Sequence, residues 1–371
     1  MNHKLLILLQ FICLAITLAA PLGLPSAGAA GNAIIIGQSA PLSGTNQTFG
    51  EEIRDGALAY FRKVNEAGGI GGRKIELISL DDGNDPTHAA ENAAVLLGQR
   101  GALALFGFAS ATLSRPVLPV AEKYQAPFIA AFTGADPMRT FNRVVFNVRA
   151  SYADEFETII DHYTRIGSKR FAVLHYADPV GNENVAAALR SLRKRGLEAV
   201  WTGGIDRARP DIASSVQDML KARPDVVILT TLYKPSAEFI RLARQRGYAA
   251  QLVSNSFPGP SALARELGRD GIGVVMSQVV PPVGKGSLPI VAEYRVASEK
   301  LLGHKNYSFT SLEAYIGAKV LVEAIRRSES RLSRESLLQS LESLKNYDLG
   351  GYTVSFSRTD HNGSSYADLT I

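Results

Sequence analysis

Residues Ile34 to Thr112 constrain the fold of this 371-residue chain more than any other stretch. Ile34, Ile35 and Ile36 form a β-branched run ending in IGQSAPLSG, and this Ser/Gly/Pro loop feeds a helix predicted over Gly50 to Glu66. Ile53, Ala57, Phe61 and Val64 recur at helical spacing and give that helix one apolar face. The run Gly68-Gly69-Ile70-Gly71-Gly72 closes it, because glycine tolerates the left-handed backbone of a tight return. A second strand follows over Lys74 to Leu80, then Asp85-Pro86 opens a second helix, and a third apolar run, Ala102 to Phe106, ends in GFASAT. Strand, helix, strand, helix, strand with short links means a parallel sheet with helices on its faces. Ligands of such sheets sit beyond the carboxyl ends of the strands, where Ser39, Ser43, Ser110 and Thr112 fall.

The first thirty residues have the form of an export signal. Lys4 supplies the positive start, Leu5 to Leu18 the apolar core and Ala27-Gly28-Ala29 a small-residue cleavage pattern. The apolar run is shorter than the ~20 residues that span a bilayer. Cys13 is preceded by Gln10-Phe11-Ile12, not by the small residues that lipoprotein processing prefers, and it is the only cysteine, so the mature chain is expected to carry no disulfide. A chain of this length exceeds what one hydrophobic core usually serves, which makes two units the expectation. At 46% hydrophobic and 20% charged residues the composition is that of globular protein. The net charge of +5 is not gathered for nucleic acid: the densest basic run, RSLRKRG, sits at a helix end and reads as solvated surface.

After FTGADPMRTFNRVVFNVRASY the strand–helix rhythm restarts, with strands at Phe171 to His175 and Val226 to Thr231 and helices at Glu183 to Arg195 and Ala237 to Arg246. Gly271 to Val280 reads as a strand leaving this second unit, Pro281-Pro282 as a change of direction, and Leu312 to Arg326 as a long helix with Ile316, Val320, Leu321 and Ala324 toward a core.

The segment PLSGTNQTFGEEIRDGALAYFRKVNEAGGIGGRKIELISLDDGNDPTHAAENA resembles the opening of periplasmic binding proteins of the leucine/isoleucine/valine type, the solute receptors of ABC importers. The likeness continues through FTGADPMR, FNVRASY, FIRLARQRGY and SFTSLEAYIGAKVLVEAI, and covers essentially the whole chain after the signal. It implies an α/β fold of two Rossmann-like parallel-sheet lobes joined by three crossing strands: residues 32–148 plus 282–350 as lobe one, 149–281 plus 351–371 as lobe two. It implies no cofactor, a monomeric exported receptor in the periplasm, a small amino acid or other small carboxylate or amide as ligand, and a membrane permease as partner. A ligand-sensing subunit of the same fold, coupled to a membrane signalling protein, is the alternative.

The resemblance also nominates contacts. The loops Ser110-Ala111-Thr112 and Thr133-Gly134-Ala135 stand where leucine-binding relatives grip a carboxylate, Thr112 and Thr133 through hydroxyls and Ser110 and Ala135 through backbone, with helix capping as the lesser reading of these hydroxyls. Phe49 falls where relatives place an aromatic over the ligand, with a core contact as the other reading, and Tyr233 matches a ligand-touching tyrosine, or else caps the sheet. Where amino-acid-binding relatives carry an acid for the α-ammonium, this chain has Ser256. Asp178 is a candidate substitute and equally a helix-initiating residue before Pro179, while Lys234 and Arg149 fit either an anionic ligand or salt bridges. His3, His88, His162, His175, His304 and His361 show no paired metal spacing, no Gly-x-Ser-x-Gly is present, and Asp81-Asp82 reads as a polar turn or, less simply, a metal site.

Overall fold

A computed structural model describes residues 33–44, 46–284, 288–303, 305 and 307–371; the expected export signal over residues 1–30, with Cys13, lies outside the described residues. Two sheets organise the chain. The first contains β1 (Ile34–Ala40), β2 (Ile75–Asp81), β3 (Ala104–Phe106), β4 (Phe128–Ile129) and β5 (Val145–Phe146), in the order β2-β1-β3-β4-β5 and parallel throughout. The second contains β6 (Phe171–Tyr176), β7 (Ala199–Ile205), β8 (Val226–Leu229), β9 (Gln251–Ser254) and β10 (Val275–Gln278). The strands β11 (Tyr347–Asp348) and β12 (Thr353–Val354) form a small hairpin, and β13 (Asp368–Thr370) joins the second sheet antiparallel to β10, giving the order β13-β10-β9-β8-β6-β7. The two-sheet α/β architecture expected from the motif order is the one observed.

The helices follow from local chemistry. Asp85 caps the helix Pro86–Ala94 by accepting from the backbone N–H groups of Thr87 and His88, and Ser151 and Asp154 form a reciprocal capping box on the helix Tyr152–Arg165. The long helix Gln47–Glu66 buries Ile53, Ala57, Tyr60, Phe61 and Val64 and lies along the helix Phe309–Arg327, with the Tyr60 and Tyr315 rings edge to face at 5.0 Å. Gly56 makes that approach feasible: a Cβ there would stand 2.1 Å from the Ser311 carbonyl oxygen. Gly56→Ala must therefore push the two helices apart, and a loss of about 1–3 kcal/mol in urea unfolding is expected. An unchanged midpoint would contradict this packing.

The chain passes between the sheets three times: from β5 to the helix Tyr152–Arg165, from β10 to the helix Pro289–Leu302, and from β12 to β13. Tyr352 joins these passes. Its buried hydroxyl lies 2.8 Å from the Val148 carbonyl and 3.2 Å from that of Val279, so one side chain of the β11–β12 hairpin, which leads into the third pass, holds the backbones of the first two. Asn147 adds a parallel bridge to Asn362, its N–H donating to the His361 carbonyl.

Candidate functional site

A cavity of about 160 Å³ opens between the two sheets. Its walls come from the segments that follow seven strand ends: Pro41 after β1, Asn84 after β2, Ala109, Ser110, Thr112 and Leu113 after β3, Phe132 after β4, Arg207 after β7, Leu232 and Tyr233 after β8, and Phe257 and Pro258 after β9. Asn46 and Phe49, at the start of the helix Gln47–Glu66, complete it. Both sheets thus point their carboxyl ends at one space, the position where open parallel sheets receive ligands.

Phe49 stands edge to face with Phe132 at 6.1 Å, and a Cβ on Gly259 of the opposite side would meet its ring at 3.5 Å. Phe257 meets Tyr152 at 6.0 Å. Ser110 holds a left-handed backbone, φ +60°, which is uncommon outside glycine and is held here by its N–H donating to the Phe132 carbonyl. Its hydroxyl accepts from the Leu113 N–H at 3.4 Å, while Thr112 is exposed toward the cavity mouth. Behind the first wall, Asp81 accepts from the N–H groups of Leu42 and Gly83, and buried Asp82 accepts from the Ser39 hydroxyl and the Asn84 N–H. Burial pushes the Asp82 carboxyl above its ordinary range. The acidic pair is a loop-shaping turn.

Four of the residues singled out in the sequence, Phe49, Ser110, Thr112 and Tyr233, meet at this cavity. Thr133 and Ala135 lie outside its lining: Thr133 is buried, its hydroxyl accepting from the Ala135 N–H at 3.2 Å and reaching the Tyr152 hydroxyl at 3.5 Å. Asp178 caps the helix Pro179–Arg193 by accepting from the Gly181 N–H, and its other oxygen receives both Nε and Nη2 of Arg207 at 2.9 and 2.6 Å. Arg207, with its guanidinium 3.7 Å from the Tyr176 ring centre, is the residue that lines the cavity. Lys234 is exposed.

Ser256 has a different role in this geometry. Its N–H and hydroxyl donate to Glu155 at 2.7 and 2.8 Å, and Arg149 donates to its hydroxyl oxygen. Arg149 pairs with Glu155 at 3.0 Å and with Glu313 at 3.5 Å, and the Ser277 hydroxyl also donates to Glu155. Burial pushes the Glu313 carboxyl up to about 7, Arg149 opposing the shift and Glu155 adding to it. Burial acts to lower the Arg149 guanidinium, but Glu313 and Glu155 outweigh it and hold it firmly charged. This cluster joins the long helix Phe309–Arg327 beside the first sheet to three elements of the second, immediately before the cavity-lining Phe257.

Phe132, Phe257, Leu232, Asn46, Asn84 and Arg207 are lining residues that the sequence reading did not single out. Their shared signal is position, two or three residues past a strand end for all but Asn46. Across the cleft rim, Arg190 pairs with Asp136 at 2.7 Å, Arg265 with Glu52 at 3.5 Å and Arg115 with Glu183 at 4.0 Å. Partly exposed pairs of this kind contribute little each, and serve better to register the two sides.

Residues 33–370 match the family model described as periplasmic binding protein, and the chain belongs to that family. It is 27% identical over 294 residues to an amino acid binding protein of Pseudomonas aeruginosa, covering 77% of this chain and 78% of that one. It is likewise 27% identical over 312 residues to Leu/Ile/Val-binding protein homolog 7 of Brucella abortus, 79% and 77% of the respective chains. Among solved structures, a possible leucine/isoleucine/valine-binding protein from Rhodopirellula baltica superposes with a TM-score of 0.85 at 30% identity, covering 93% of this chain and 95% of that one. A substrate-binding periplasmic protein from Ralstonia solanacearum gives 0.84 at 31% identity, with 91% and 96% covered. These relatives are named as binding proteins.

Proposed function

We propose that this protein is an exported solute receptor that captures a small amino acid or related carboxylate or amide between its two lobes and delivers it to an ABC-type importer in the membrane. The observation that carries the reading is the convergence of seven strand ends of two sheets on a common cavity. The two lobes are hinged where the chain crosses between the sheets, after β5, after β10 and after the β11–β12 hairpin that carries Tyr352. Ligand contacts to both sides shift an open–closed equilibrium, because a ligand favours whichever state offers it more interactions. Ser110 and Thr112 hold the ligand to the first lobe, Tyr233 and the Phe257 loop recruit the second, and no bond chemistry occurs.

Thermal unfolding of the ligand-stripped mature protein against amino acids, monocarboxylates, dicarboxylates and amides tests the reading, since a ligand at 100 times its dissociation constant adds about 2.7 kcal/mol. At least one small solute is expected to raise the unfolding temperature. In the Thr112→Val, Tyr233→Ala double variant that shift is expected to vanish while the ligand-free unfolding temperature stays close to wild type. Retention of the shift would place the site elsewhere.

A further inference from the structure

The cavity contains a cation and no anion. Of its fourteen lining residues Arg207 alone is charged, and none is Asp or Glu. None of the undescribed residues is acidic either, so every carboxylate of the chain has a known position. Those around the cleft are committed elsewhere or lie outside the lining: Asp178 to Arg207, Glu155 and Glu313 to Arg149, Glu266 to Arg241, Asp82 to Ser39 and Asn84, and, at the rim, Glu183 facing Arg115 at 4.0 Å with its Oε2 buried and without a hydrogen-bond partner among the described residues. An ammonium group enclosed here would lose its water and gain no counter-charge from the lining, which opposes its binding. A carboxylate meets the opposite setting, with the Ser110 and Thr112 hydroxyls on one wall and the Arg207 guanidinium on the other.

Size and polarity define the rest of the ligand. The apolar wall of Phe49, Phe132, Leu113, Leu232 and Phe257 encloses about 160 Å³, against roughly 150 Å³ for a dry protein cavity that takes up benzene. With a single cationic side chain there is no second site for a dicarboxylate. Resting on the receptor function above, we propose that the ligand is a monocarboxylate with an apolar body the size of one ring or a short branched chain and without an α-ammonium group. Arg207 is its specificity-determining residue, and Asp178, by pairing with Arg207, both orients the guanidinium and is itself kept from acting as an ammonium partner.

Matched pairs that differ only in the amine test this directly: 4-methylpentanoate against L-leucine and 3-phenylpropanoate against L-phenylalanine, by calorimetric titration of the ligand-stripped protein. The amine-free member is expected to bind about tenfold or more tightly than its partner. Arg207→Gln removes the cation and frees Asp178, so the preference is expected to narrow or invert. Equal or tighter binding of the amino acids to the wild-type protein, abolished by Tyr233→Ala, would overturn the monocarboxylate assignment and leave the receptor function standing. Silence with all four while a dicarboxylate or amide of the wider panel binds would do the same, and silence across the whole panel would overturn both.

Discussion

Arg149→Met is expected to remove about 3–5 kcal/mol of stability in urea unfolding at pH 8, the scale seen when one partner of a buried charge cluster is deleted. Arg149 is 3% exposed, Glu155 0% and Glu313 6%, so methionine would leave two carboxylates facing each other with little access to water. Glu155 would keep the hydrogen bonds from Ser256 and Ser277, whereas Glu313 would lose its cationic partner. The Arg149→Met, Glu313→Gln double variant is therefore expected to recover part of the loss, since it strands one carboxylate fewer. Ligand affinity should fall in the single variant as well, because the cluster anchors Ser256, the neighbour of the lining residue Phe257. A stability loss below about 1 kcal/mol would mean that water or backbone groups take over from the guanidinium.

The strand–helix rhythm, the glycine turn after the first helix and the apolar face of the long C-terminal helix were legible in the chain because each depends on neighbours in sequence. The strand Ala199–Ile205 was not singled out: its AVWTGGI run is half exposed and carries two glycines, which weakens the apolar signal. At the site, Phe49, Ser110, Thr112 and Tyr233 were placed by motif, and all line the cavity. Thr133 and Ser256 show what motif alone leaves out. In a loop, one residue of offset decides whether a hydroxyl faces the cavity or the interior, and local sequence does not encode that rotation. Ser256 turns toward Glu155, 101 positions away in the chain, and Arg149 meets Glu313 across 164 positions. Only the closed tertiary structure brings such partners within reach, so the ion cluster had no sequence signature beyond isolated Arg and Glu residues. The exchange of roles between Asp178 and Arg207 has the same origin: the acid was visible before Pro179, but its partner lies on a loop after another strand.

Glu313 should make the stability of this protein fall as pH rises from about 4.5 to about 7. Burial on the helix Phe309–Arg327 lifts its folded-state pKa from 4.5 to about 7, with Arg149 and Glu155 as the charges that face it. Between those values the folded chain holds a proton that the unfolded chain has released. The stabilisation from a raised carboxyl is complete below the unfolded pKa and is lost as pH climbs through the folded one, at up to about 1.4 kcal/mol per unit. Over the whole window the change is on the order of 3 kcal/mol, superimposed on the other titrations of the chain. Glu313→Gln keeps the shape of the protonated acid and has nothing to release. The variant is expected to match wild type near pH 4 and to exceed it by on the order of 3 kcal/mol at pH 8, with the difference curve of the two proteins isolating this one group. Urea unfolding at half-unit pH steps measures it. A variant less stable than wild type at pH 8 would show that the attraction of Arg149 for ionised Glu313 outweighs burial, and that the cluster holds all three of its charges through neutral pH.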